Sequence, residues 1–247
     1  MATKFRSSPG AKTGLSVGIA TGVYGLSFGA LSVTSGLDVF QTCVLSLLLF
    51  SGGSQFAFIG VLAGGGSGAA AVGAAALLGI RNAVYGMQIN SLLKPRGVRR
   101  FVAAQVTIDE SLATSTAQTE PVEHQRGFWV AGVGVFVFWN LFTLVGALAG
   151  NALGDPKQFG LDGAAVAAFL GLLWPRLRSR DAGAVAVACA LATVLTVPIL
   201  PPGIPILVAA VVAVSLGWAG SKNSAGSQQK AAGAHSAGSE NSTEIGA

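Results

Sequence analysis

Three charged side chains sit where an apolar chain tolerates them least. Arg81 lies within "SGAAAVGAAALLGIRNAVYGMQINSLL" (67–93), and Asp109 and Glu110 stand side by side in "QVTIDESLAT" (105–114). A cation at the middle of a membrane helix costs roughly 2.5–3.5 kcal/mol. Arg81 must therefore meet a carboxylate, face a polar cavity, or snorkel to a nearby interface. Asp109 and Glu110 are the obvious carboxylates. Adjacent residues diverge by about 100° on a helix, so one can face a cavity while the other caps a helix or meets an interface. Two readings of the pair stay open. "TIDES" is a helix start with Thr107 or Asp109 at its cap, or one carboxylate exchanges a proton, because burial favours its neutral form and Arg81 its charged form.

Around these charges lie polar groups suited to orienting a ligand. The apolar block 39–62 is interrupted by "FSGGSQF" (50–56), where Gly52 and Gly53 discourage continuous helix and free backbone N–H and C=O groups. In lipid such a break survives only against protein or a water-filled cavity, and Ser51, Ser54 and Gln55 supply further polar lining. Gln55, Asn82, Gln88, Asn90 and Asn140 are amides in apolar surroundings, each fit for an interhelical hydrogen bond or for a ligand. The candidate binding or coupling set is Gly52, Gly53, Ser54, Gln55, Arg81, Asn82, Asp109, Glu110 and Asn140. A zwitterionic amino acid matches it: carboxylate to Arg81 or to backbone N–H groups, ammonium to Asp109 or Glu110, apolar side chain against Gly, Ala, Val and Phe.

The elements that must position this set are membrane helices. Half the chain is hydrophobic (51%), only 10% is charged, and the mean hydropathy is +0.63; a soluble domain carries about a quarter charged residues. The expected fold is all-α, a polytopic membrane protein of six to eight membrane segments, with broken or re-entrant elements near 50–56 and 101–120. Residues 14–36 carry no charge and are long enough to span at about 1.5 Å per residue. There Gly14, Gly18, Gly22, Gly25, Gly29, Ser32 and Gly36 recur every three or four residues and leave a bare face for another helix. Further apolar blocks are 67–93, 128–150, 161–174, 183–199 and 204–219. Residues 1–13 read as a basic cytoplasmic tail, 14–219 as the transmembrane transport domain, and the Ser/Gly/Ala/Gln-rich 220–247 as a disordered cytoplasmic tail.

If 39–62 and 101–120 each enter and leave on one side, thirteen of the fifteen Lys/Arg share the side of the N-terminus, Lys157 stands opposite and Arg81 lies in the membrane. Eight full spans would divide them nine to five, which offends the positive-inside rule. Both models put the termini in the cytoplasm.

Other classes find little support. The net charge of +5 comes without a basic stripe, so no nucleic-acid partner is expected. Cys43 and Cys189 have no ligand-spaced companions, so neither metal nor cofactor is expected. Lys4, Arg6 and Lys12 before an apolar run imitate a signal peptide, but 14–36 is too long and lacks a cleavage site. "GGSG" (65–68) fits the pattern of an intramembrane serine protease, yet that chemistry needs a base beside the Ser, and His124 and His235 fall in a loop and the tail. No enzyme is expected. A passive channel lined by broken helices remains as the alternative. A non-transporting scaffold is opposed by the charges inside the membrane.

The ordered segments "GLSFGALSVTSGL" (25–37), "LLLFSGGSQFAFIGVL" (47–62), "IRNAVYGMQI" (80–89), "VTIDESLA" (106–113), "FWNLFTLVGALAGNAL" (138–153) and "FGLDGAAVAAFLGLLWPRL" (159–177) resemble the AzlC-type branched-chain amino-acid permease family. The resemblance implies the larger subunit of a two-component exporter of branched-chain amino acids, in some members methionine, acting with a small AzlD-type membrane partner. The expected function is thus a secondary exporter of such amino acids in the cell membrane, driven by protons. The chain departs from the family pattern around Arg81: Gly79 stands where relatives tend to have Asn, and Asn82 where they tend to have His.

Overall fold

The computed structural model describes residues 8–152, 170, 173, 174, 177, 179–201 and 204–218, and among these the regular elements are helices alone. The chain divides into two compact units, 1–173 and 174–247.

The first unit is organised by two long helices, α1 (Pro9–Thr34) and α7 (Pro121–Ala152). Helix α1 begins ahead of the apolar run read from hydropathy, because Pro9 suits a first helical turn and Ser8 caps it, accepting from the Ala11 N–H at 3.2 Å. Glu123 of α7 pins that end: it accepts from the Ser8 hydroxyl, from the Gly10 N–H at 3.0 Å and from Arg126 at 2.6 Å. From there the two helices run parallel. The bare face expected from the glycine spacing lies against α7, and a Cβ on Gly14 would come within 2.8 Å of the Ala131 nitrogen. Higher up, Gly29 faces the Thr143 carbonyl and Gly146 faces that of Leu26, both too close for any side chain. Backbone approach of this kind is how helices gain contact in lipid.

Between them the chain makes two hairpins and one more long helix. Helix α2 (Val39–Leu48) enters from the end where α1 finishes, its N-terminus closed by Asp38, which accepts from the Gln41 N–H at 2.7 Å. It descends to the level where Ser46 meets Thr143 at 3.4 Å, breaks at 49–51, and α3 (Gly52–Ala63) returns, so that Leu62 and Leu37 line one cavity. Helix α4 (Gly68–Leu93) then crosses antiparallel to α3, with Ala71 and Ala74 against Ala57 and Val61. Helix α5 (Val98–Gln105) enters from the opposite end, where Ala103 and Leu93 pack on Phe128. It breaks at 106–108, and α6 (Asp109–Thr116) returns to put Ser115 on His124. Gly36 and Gly97, at φ of 100° and 56°, make the turns that feed the two hairpins, a conformation side chains disfavour.

Both expected interruptions are thus re-entrant hairpins, and they approach from opposite ends. The first differs in one detail from its expected form. Gly52 and Gly53 begin α3 instead of forming the break, which falls on residues 49–51. The hairpin tips meet at mid-bundle, where Phe50 and Ile108 join Phe28, Phe56, Val135 and Trp139 in the main buried cluster. Gln105 ties the tips together, its Nε2 donating to the Leu47 carbonyl at 2.8 Å.

Among the described residues α1, α4 and α7 are long and apolar enough to cross a membrane, and the protein is an all-α membrane protein. The basic residues of 94–100 lie at the end that holds Ser8 and Glu123, as the expected topology requires. In the second unit, α8 (Arg180–Thr196) is capped by Ser179, and the Cys189 thiol donates to the carbonyl of Ala209 on the apolar helix Ile204–Trp218, α9. The expected helix at 161–174 falls almost wholly outside the described residues, and the tail at 220–247 does so entirely.

Candidate functional site

At the midpoint of α4, Arg81 reaches across to the start of α6, and its Nη1 lies 3.0 Å from Asp109 Oδ2. The two side chains keep 29% and 26% of their surface, too little for freely hydrated charges and enough to leave room beside them. Asp109 is also the first residue of α6, whose cap is Ile108, so "TIDES" does start a helix and the same carboxylate pairs with the cation. Glu110 shares that first turn; Arg81 pairs with its neighbour.

The same guanidinium presses on α3. A Cβ on Gly53 would fall 2.6 Å from Arg81 Nη2, so the bare backbone of that residue is what admits the cation to the helix N-terminus. Gly52 makes room on another side, for the Trp139 ring, at 3.3 Å from a Cβ placed there. Ser54 is fully buried and faces Gly79 of α4, and its hydroxyl has no hydrogen-bond partner among the described residues; neither has the buried Arg81 Nε. Helix α3 has no acidic residue in its first turn and no side-chain cap, so its leading N–H groups point at this space with their positive end of the helix dipole.

Gln55 of the expected set belongs to the frame. Gln55 donates to the carbonyls of Leu49 at 2.7 Å and Ser46 at 3.3 Å, and accepts from the Trp139 indole at 2.9 Å. Its amide is consumed in holding the α2–α3 break, which leaves nothing for a ligand. Asn140 donates to the Phe136 carbonyl of its own helix at 2.8 Å, and its buried Oδ1 has no partner among the described residues. Asn82 follows Arg81 on α4 and so turns about 100° away from it. His124, expected in a loop, lies in the first turn of α7, where its ring donates to the Ser115 carbonyl at 2.6 Å and ties α6 to α7. No group of three or more His, Cys, Asp or Glu that could hold a metal occurs among the described residues.

Two side chains of structural weight escaped the sequence reading. Trp139 is the counterpart of Gln55, signalled only by an indole in an apolar run. Ser111 closes the second break: it accepts from the Ile108 N–H at 3.0 Å and donates to the Val106 carbonyl at 2.8 Å. Its place three residues past a helix cap could have marked it.

The bundle is that of an all-α membrane protein, with an Arg81–Asp109 ion pair between two re-entrant tips. The chain belongs to the AzlC protein family, whose model matches residues 16–153, from early α1 to the end of α7. That is a transporter family linked to branched-chain amino-acid transport. An uncharacterized membrane protein of Archaeoglobus fulgidus is 31% identical over 182 residues, which cover 70% of this chain and 80% of that protein. No solved structure matches.

Proposed function

We propose that this protein is a secondary transporter that exports branched-chain or similar small apolar amino acids: valine, leucine and isoleucine, with methionine as a further substrate. It works by alternating access and is coupled to protons through Asp109. A small AzlD-type membrane subunit is its partner, the plasma membrane is its place, and both termini face the cytoplasm by the positive-inside argument.

One observation carries this reading: the Arg81–Asp109 ion pair sits where two re-entrant hairpins from opposite ends meet. Helix breaks at mid-membrane place free backbone groups around a solute, and two hairpins that enter from opposite ends suit a site that opens to one side at a time. Cavities at opposite ends of the bundle fit this. One of about 310 Å³ runs from Arg100 past Asn90 and Met87 to Thr107, beside the second tip. The other, about 580 Å³, runs between Leu37, Leu45, Leu49 and Phe58 beside the first.

The test is counterflow in proteoliposomes. Pre-loaded unlabelled valine is expected to drive saturable accumulation of labelled valine; uptake without saturation or trans-stimulation would instead mark a passive channel. Asp109→Asn is expected to keep exchange measurable while removing its response to an imposed pH gradient. An unchanged response would remove Asp109 from coupling.

A further inference from the structure

The two helix starts at the tips are electrically unequal. Helix α6 carries Asp109 and Glu110 in its own first turn, whereas α3 carries no acid there and receives a guanidinium. A cation at the positive end of a helix is an unfavourable arrangement on its own account, and Asp109 meets it through Nη1. Two of the buried groups without partners among the described residues can donate beside the start of α3: the Arg81 Nε–H and the fully buried Ser54 hydroxyl, next to the leading N–H groups of the helix. An ammonium group, which only donates, would leave the Nε–H and the helix N–H groups unsatisfied. An anion with two acceptor oxygens would satisfy them and offset the clash of charges.

We propose that the N-terminus of α3, with Ser54 and Arg81 Nε, is a carboxylate site, and that the carboxylate rather than the ammonium group is what this protein recognises in its substrates. This rests on the transporter reading and sharpens it. The substrate class becomes small branched apolar carboxylates, with the amino group dispensable for binding. Gly53 is the residue that makes the site, since any side chain there displaces Arg81 Nη2. That displaced atom is the end of a flexible side chain, so Gly53→Ala should still fold.

Competition separates this inference from the transporter reading. Membrane vesicles from cells producing the full chain are loaded with labelled valine and challenged with isovalerate, which lacks the amino group, or isobutylamine, which lacks the carboxylate. Isovalerate is expected to compete within about tenfold of valine and isobutylamine not to compete. Ser54→Ala and Gly53→Ala should each weaken valine and isovalerate together, by about tenfold, the scale of one hydrogen bond to a charged group. Competition by isobutylamine but not isovalerate overturns the carboxylate site and leaves the valine transporter standing. Equal competition by both, or Ser54→Ala and Gly53→Ala variants with unaltered affinities, also overturns it. Isovalerate binding without valine binding keeps the site and removes the amino-acid substrate. Vesicles that bind neither compound remove both.

Discussion

Both hairpins break for three residues, at 49–51 and 106–108, and restart with different chemistry: Gly52, Gly53 and Ser54 in the first, Asp109, Glu110 and Ser111 in the second. Their closures are alike in kind. A polar side chain in the first turn of the returning helix, Gln55 or Ser111, takes up a carbonyl at the end of the incoming helix. Their electrostatics are opposite, since one start supplies its own negative charge and the other is left positive with a cation against it. One hairpin therefore brings the carboxylate that holds Arg81, and the other brings bare backbone that lets Arg81 approach. A similar division runs through the long helices that precede them. The glycines of α1 are pressed on α7, while Gly73 of α4 has nothing within 4 Å.

Making the two starts alike should have the largest effect. Gly53→Asp gives α3 the acid that α6 already has, and its carboxylate would occupy the space beside Arg81. Counterflow should be lost, while the melting temperature in detergent holds or rises, an acid in a first helical turn being worth about 0.3–1 kcal/mol. Next comes the frame. Gly29→Ala drives a methyl into the Thr143 backbone, which cannot give way, and should cost about 3 kcal/mol in thermal stability, the upper range for overpacking.

The two closures come third. Gln55→Leu strips the Trp139 indole and the Ser46 carbonyl of their side-chain partner and should cost about 2 kcal/mol, Ser111→Ala about 1 kcal/mol. Equal losses in denaturation would mean the two breaks are held alike. The smallest effect has the opposite sign. Gly73→Ala, on the open face of α4, should stabilise by about 0.5–1 kcal/mol through helix propensity, so that one substitution type separates packed from open glycine.

Much of this was legible along the chain. The α1 face followed from glycine spacing alone, because small residues at three and four apart have one use in lipid, and Arg81 announced a partner because an unpaired cation there is too costly. Which carboxylate paired could not be read, since Asp109 and Glu110 are chemically near-equivalent neighbours and only the direction of α6 distinguishes them. Gln55 misled for a related reason. An amide beside a helix break suits a ligand and a carbonyl equally, and the end of α2 that leaves the Ser46 carbonyl to Gln55 becomes visible only in the structure.

By itself the sequence determined that this is a helical membrane protein interrupted twice and charged at its centre, because lipid penalises free backbone and unpaired charge whatever the surroundings. Only the tertiary structure decided that the interruptions turn back from opposite ends, that their tips meet at Arg81, and that one helix start there is left without an acid. Those facts depend on distances between residues far apart in the chain, and hydropathy and spacing act only on neighbours.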